Sequence, residues 1–339
     1  MKFLYIGQYS SGTTSKMRAD TLKEILPDWE FQIINIHKPF FKTPKILRSF
    51  GFRFKKGALI KNINRFVLDN LFSDYDVIWT DKAVFLTHQT TDLLRKKANR
   101  LLHFTPDPAF TYHQSKHFNE SLRFYDFVVT TKSYELAFYS GFLPESKIIC
   151  TSQGFDLTIH KPFNTFESKV NALLFIGHFE TNRSKIISRL IENNINVCIA
   201  GPKWSRFYNK NKASKHLTYL GSGLYGDDYS KTISQYQIAW GAVSKWIPEM
   251  HTTRTFEIPA CGTALITEKN DETTRFFKDD EVIFYSDEKE FVEKINYWLA
   301  HPNELTLLSE KGYKKVLEQG YDYKSILKKI LIQTGIIKL

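Results

Sequence analysis

The chain has only three cysteines in 339 residues. They form no Cys-x-x-Cys pair and no cysteine–histidine ligand spacing, which excludes a disulfide framework and a structural zinc site. Cys150, Cys198 and Cys261 lie in mostly apolar settings and read as buried thiols of a reducing compartment. No apolar run approaches 18 residues, so no membrane-spanning helix is expected. The opening MKFLYIGQYSSG has an apolar run of strand length and lacks the form of a signal peptide. There is no GxxxxGK[ST] phosphate loop, and the glycine turn after the first apolar run, SSGTT (10–14), is not GxGxxG. Acidic residues are short: 36 Asp and Glu stand against 47 Lys and Arg, for a net charge of +11. That excess favours an anionic partner such as a phosphorylated substrate, an anionic membrane or a nucleic acid. No nucleic-acid recognition motif accompanies it, so nucleic acid is not the expected partner.

Short apolar runs recur with helical segments between them. FLYIG (3–7), FQIINI (31–36), DVIWT (76–80), RLLHF (100–104), FVVTT (127–131) and KIICTS (147–152) make a first series. ALLFIG (172–177), NVCIAG (196–201), LTYLG (217–221), IAWGAV (238–243), TALIT (263–267) and VIFY (282–285) make a second. Such alternation predicts parallel sheets with helices on both faces. The expected fold class is α/β, with two Rossmann-like, doubly wound domains facing a central cleft. The loop-like stretch HKPFNTFESK (160–169) marks the boundary between an N-terminal domain, 1–160, and a C-terminal one, 161–320. A terminal helix over 321–339 is expected to cross back to the first domain.

The segment HTTRTFEIPACGT (251–263) concentrates the most chemistry. Thr252 or Thr253 is placed to cap a short helix whose first amides favour an anion. Arg254 adds a rigid fork of donors for phosphate. Glu257 lies one turn on, where a carboxylate suits two vicinal hydroxyls. The same spacing also fits an Arg254–Glu257 ion pair on an ordinary capped helix. Pro259 lacks an amide donor and should kink so short a helix, whereas Gly262 fits the position just past its end. Glu249 falls about 80° beyond two turns from Glu257, which puts it on the loop entering the helix.

In the first domain, Gly12 in the turn after the first strand and Asp107 after the fourth are expected at the carboxyl ends of strands. Asp107 is a candidate general base for an acceptor hydroxyl, or simply a turn residue between two prolines. His103, on a strand, reads as a packed core residue. Asp74 and Asp76 match a D-x-D metal pattern but precede the third strand, at the wrong end of the sheet for a ligand. Between Lys38 and Leu68 there are nine Lys or Arg, no Asp or Glu, and six phenylalanines. That region is either a solvated basic loop and helix or a patch that touches anionic lipid.

The order TRTFEIPACG, strand, acidic and aromatic loop, EVIFY and a helix ending at His301–Pro302 resembles the C-terminal domain of GT-B glycosyltransferases, especially the CgeB-like group. KTISQYQIAW before it and CTSQGFDLTIHKPF at the domain junction add to the likeness. The resemblance implies that a nucleoside diphosphate sugar of UDP or GDP type is the donor, bound by the second domain. The acceptor would be a hydroxyl of a polysaccharide or lipid-linked glycan at the first. By that likeness Glu257 bonds the ribose, Thr252, Thr253 and Arg254 contact the diphosphate, and Arg183 neutralises phosphate charge. Gly177 lets a loop approach the donor, and Tyr225 sits near the base. Glu249 and Glu257 reproduce the E-x7-E spacing of retaining enzymes. Pro259 and the lack of a first-domain histidine motif depart from that group. With Arg254, Arg183 and helix amides supplying positive charge, no metal and no further cofactor are expected. Asp107, Glu249 and Arg254 are the catalytic candidates. The implied setting is the cytoplasm, at the inner face of the membrane. A nucleotide-sugar epimerase and a non-catalytic binding protein of the same fold are the alternatives.

Overall fold

The computed structural model of the chain describes residues 1–338. It divides into two compact units. One holds Met1–Ser152 together with the residues from Tyr323 on, and the other holds Gln153–Asp322. The division thus falls at Ser152, ahead of the 160–169 stretch, because Phe155 is fully buried in the core of the second unit.

The first unit is built on strands β1 (Lys2–Gly7), β2 (Glu30–Asn35), β3 (Tyr75–Asp81), β4 (Ala98–Thr105), β5 (Phe127–Thr130) and β6 (Ile148–Cys150). They form one parallel sheet in the order β2-β1-β3-β4-β5-β6. Both faces are covered, so the strands read as continuous apolar runs. Leu4, Ile6 and Ile78 pack on one side, and Phe3, Tyr5, Val77 and Trp79 on the other. The second side is covered by the helix Thr14–Ile25 and by the helix Tyr323–Gln333, whose Leu327, Ile330 and Leu331 enter that core. A buried ion pair fastens this layer. Arg18 donates from Nε and Nη2 to the Asp81 carboxylate at 2.7 and 2.9 Å, and its guanidinium lies 4.6 Å over the ring of Phe104.

The second unit uses β7 (Val170–Ile176), β8 (Val197–Ala200), β9 (Leu217–Tyr219), β10 (Tyr236–Trp240), β11 (Ala264–Glu268) and β12 (Ile283–Tyr285). Its parallel order is β12-β11-β10-β7-β8-β9. The chain winds outward from β7 in one direction and then from β10 in the other. The strand order therefore reverses between β7 and β10, and the carboxyl ends of that pair open a crevice for a ligand. Apolar clusters around Phe175 and Trp240 on one face and around Leu174 and Phe256 on the other bury both sides of the sheet.

Two expectations change on detail. Residues 38–68 are more ordered than a loop and a helix, forming three helices at His37–Lys42, Lys45–Phe54 and Ala58–Asp69. Cys198 and Cys261 are buried, but Cys150, at the end of edge strand β6, is exposed. Asp74 pairs with Lys97, and Asp76 accepts from the Lys2 amide at the amino end of the first sheet.

His103 sits wholly buried on β4 between the rings of Phe118 and Tyr125. Its Nδ1 meets Thr80 Oγ1 at 3.1 Å, and Nε2 has no partner. Burial pushes its pKa down to about 3, from an ordinary value of 6.5. The unfolded chain therefore binds a proton that the folded one refuses. This contribution to stability is whole above pH 6.5 and is lost as the pH falls toward 3. Denaturant unfolding across that range should show a shallower acid slope for His103→Phe than for the wild type, whatever the offset in absolute stability. Equal slopes would mean that His103 takes up its proton in the folded state.

Candidate functional site

The turn after β7 carries Gly177, His178 and Glu180 into the helix Thr181–Glu192, and the turn after β8 carries Gly201, Pro202 and Lys203. These two turns are pressed together. A Cβ on Gly201, where φ is +130°, would lie 2.1 Å from the Gly177 carbonyl oxygen. The Gly177 amide donates to Ala200, and its carbonyl accepts from Trp204 Nε1 at 2.9 Å. Gly177 is thus held on both sides, and close packing of the turns is what demands glycine at 201. Lys203 takes a left-handed backbone, φ 68°, which a lysine adopts at a cost of about 1–3 kcal/mol.

Arg183 is buried, with Nη1 donating to His178 O at 3.0 Å and pairing with Glu180 at 2.9 Å. Its Nε has no partner. Burial lowers its pKa most; Glu180 opposes that, and the charge of Arg254 pushes in the same direction as burial. Arg254 approaches from the other side of the crevice. It makes one long contact, Nη2 to Ala242 O at 3.4 Å just past β10, and its buried Nε is unpartnered. Among the described residues no carboxylate lies within ion-pair distance of Arg254, so the Arg254–Glu257 pairing allowed by the spacing is not formed. His178 reports the local field. Its pKa is lowered first by burial, then by Arg183, Lys203 and Arg254. Three cations thus converge on the carboxyl ends of β7, β8 and β10. Glu249, half-buried on the loop after β10, lies within electrostatic reach of Arg183.

The helix Arg254–Ala260 is held by contacts that spacing did not reveal. Its entry is set by His251, which accepts the Gln153 amide at Nε2 at 2.9 Å and donates from Nδ1 to Glu272. Neither Thr252 nor Thr253 caps the helix through its hydroxyl. Thr253, the residue just before the helix, already has helical φ and ψ and makes no side-chain bond to the first-turn amides. The Thr252 amide instead donates to Thr255 Oγ1, and Thr252 Oγ1 is buried without a partner. Pro259 lies inside this helix and donates no bond to the turn before it. Gly262 (φ 65°) donates to Pro259 O and Thr263 to Ile258 O, the pairing of a Schellman ending.

Glu257 is buried. It accepts from Tyr229 Oη at 2.7 Å and lies 3.6 Å from His160 Nε2. A carboxylate so held is oriented before any ligand arrives. Tyr225, at the start of the helix Gly226–Ser234, is 71% exposed and free to stack on a flat ligand. Lys203, Tyr229 and His160 were not singled out by sequence. Lys203 had a signal in its place two residues after the glycine of NVCIAG, the counterpart of the turn after ALLFIG.

In the first unit, Gly12 (φ 77°) closes an exposed turn in which the Thr13 amide donates to Ser10. Asp107 lines a separate pocket with Gln8, Phe52, Lys82, Thr105 and His113. Burial opposes its ionisation, but Lys82 at 2.9 Å, His113 and Lys132 outweigh it and hold the carboxyl at about 2. A carboxylate that acidic accepts a hydrogen bond well and a proton poorly.

Residues 183–332 match the glycosyl transferase-like family model, a span that begins at Arg183 itself. No curated protein matches the chain. Solved structures match along its whole length. HepE of Anabaena, in complex with UDP and glucose, superposes with a TM-score of 0.69 at 12% identity, covering 99% of this chain and 100% of that one. The fold is GT-B. Sucrose-phosphate synthase of Thermosynechococcus elongatus has a TM-score of 0.67 at 12% identity, with 99% of each chain covered. OtsA without ligand has 0.69 at 12%, with 100% of each.

The packing of Gly177 against Gly201 sets the position of Lys203 and the start of the Arg183 helix. Gly201→Ala should therefore lower the melting temperature by roughly 5–10 °C. Gly12→Ala, left-handed at φ 77° but in an exposed turn, should cost about 1–2 kcal/mol, or roughly 2–5 °C. Equal losses in the two variants would mean that the close approach at Gly201 carries no strain.

Proposed function

We propose that the protein is a glycosyltransferase that uses a nucleoside diphosphate sugar, UDP or GDP type, as donor and a hydroxyl of a glycan or lipid-linked glycan as acceptor. One observation carries the reading: Arg183 and Arg254 converge at the strand-order reversal of the second sheet, each with a buried Nε that no group among the described residues satisfies. Two partly desolvated guanidiniums side by side are a receptor for a diphosphate. The family match over 183–332 supports it. So does the UDP-glucose complex of HepE, which has a TM-score of 0.67 at 14% identity.

In this reading the second unit binds the donor. The nucleotide's diphosphate lies between Arg183, Arg254 and Lys203, and the ribose hydroxyls reach Glu257 in exchange for its contact with Tyr229. Tyr225 stacks on the base, and Glu249 stands on the sugar side. As the bond to the sugar breaks, negative charge grows on the leaving diphosphate, and the arginines stabilise it more than they did the intact donor. Three cations at the site supply the charge that a divalent ion provides elsewhere, which favours metal-independent transfer. The first unit binds the acceptor, with Asp107 accepting a hydrogen bond from its hydroxyl and orienting it for attack; as the oxygen bonds to the sugar, the hydroxyl's proton passes to the leaving diphosphate. A CgeB-like placement and a role in cell-envelope polysaccharide assembly follow from the same resemblance.

Arg254→Ala should weaken UDP binding about 10- to 100-fold by calorimetry. It should also lower kcat/KM with a labelled sugar nucleotide by about 100- to 1000-fold. Arg183→Ala should do the same to a similar degree. Unchanged affinity and turnover in both variants would overturn the assignment. An altered sugar nucleotide formed from donor alone would point to epimerisation instead.

A further inference from the structure

The helix Lys45–Phe54 is turned the wrong way for a soluble protein. Ile46, Leu47, Phe50 and Phe54 fall on one face at helical spacing, and that face is outward: Ile46 is 84% exposed, Phe50 50% and Phe54 53%. The residue it buries is Gly51, against which the helix Ala58–Asp69 packs so closely that a Cβ would lie 2.4 Å from Leu59 Cβ. Phe41, 60% exposed, extends the apolar strip from the preceding helix. Around the strip stand Lys42, Lys45, Arg48, Arg53, Lys56, Lys61 and Arg65, with no acidic residue between Lys38 and Leu68. Among the described residues none of these cations meets a carboxylate within ion-pair distance. Arg48 and Arg53 instead lie over Phe41 and Phe54, at 5.3 and 5.5 Å.

We propose that this face docks the protein on an anionic lipid bilayer, with Ile46, Leu47, Phe50 and Phe54 in the headgroup–acyl boundary and the surrounding lysines and arginines on lipid phosphates. Apolar insertion ringed by unpaired cations is the pattern of an interfacial helix. No described helix is long and apolar enough to cross a membrane, so the contact lies along the surface. A second copy of the chain is a poor occupant, because two identical faces would bring these seven positive charges against seven. Nucleic acid would leave the apolar strip in water. Phe52 of the same helix lines the pocket that holds Asp107, so a docked protein receives a lipid-linked hydroxyl directly at that pocket. The docking itself does not depend on the glycosyl-transfer reading.

The test is flotation of the full chain with vesicles of phosphatidylcholine alone and of phosphatidylcholine mixed with phosphatidylglycerol, at low and high salt. Binding should be at least about 10-fold stronger to the anionic vesicles and should fall at high salt. The triple variant Lys45→Ala/Arg48→Ala/Arg53→Ala should bind on the order of 100-fold more weakly. Ile46→Ser/Phe50→Ser/Phe54→Ser should lose the salt-resistant part of the binding. Both variants alter exposed or half-exposed side chains and should keep the wild-type melting temperature and UDP affinity, whatever that affinity is. Equal binding to both vesicle types, no binding, or binding untouched by either variant would overturn the proposal. So would a dimer in sedimentation that the serine variant dissolves without any vesicle binding.

Discussion

Arg183 and Arg254 repel one another, and the second unit is arranged around that repulsion. Like charges brought together in a partly dry crevice raise the free energy of the folded chain unless something negative joins them. Glu180 answers for Arg183 only in part, through a single nitrogen, and among the described residues no carboxylate answers for Arg254. The cost is borne by the packing around them. Phe175 and Trp240 bury the strands beneath, the Gly177–Gly201 contact fixes one wall, and His251 with Glu272 fixes the other. A scaffold that holds two cations apart from their natural partners is preorganised for an anion.

The first unit solves a different problem. Its pocket pairs Lys82 with Asp107 in place, so the charges there are largely satisfied before any ligand arrives. A site of that kind orients a neutral hydroxyl better than it captures an anion. The asymmetry between a charge-hungry crevice in one unit and a charge-balanced pocket in the other fits a division of labour between donor and acceptor. The buried Arg18–Asp81 pair belongs to neither site; it fastens the helix Thr14–Ile25 to the sheet beside Tyr323 of the terminal helix.

Much of the architecture was legible in the sequence, since strands covered on both faces must be written as apolar runs, and all twelve strands overlap the runs expected, with ends that differ by three residues at most. Strand order was not legible, because it depends on which buried faces meet. The resemblance singled out Arg183 and Arg254, and the fold brings them to one place. What spacing could not show was the long-range partners. Glu257 looked open to a ribose, yet Tyr229 and His160, far away in sequence, close over it. The threonine cap failed because Thr253 already has a helical backbone, a property set by His251 anchoring the loop rather than by local preference. Lys203 was missed because its left-handed turn follows from the Gly201 contact, and only its place after the glycine of NVCIAG pointed to it. The basic stretch at 38–68 announced its charge but not that a helix would turn its apolar face outward.

The central claim is that the crevice between β7 and β10 exists to receive a nucleoside diphosphate. Amide hydrogen exchange of the full chain with and without UDP measures this directly. The account predicts slowed exchange confined to the turns at 177–183 and 201–204 and the segment 242–257. No change there, or protection centred instead on the 7–13 turn of the first unit, would contradict it.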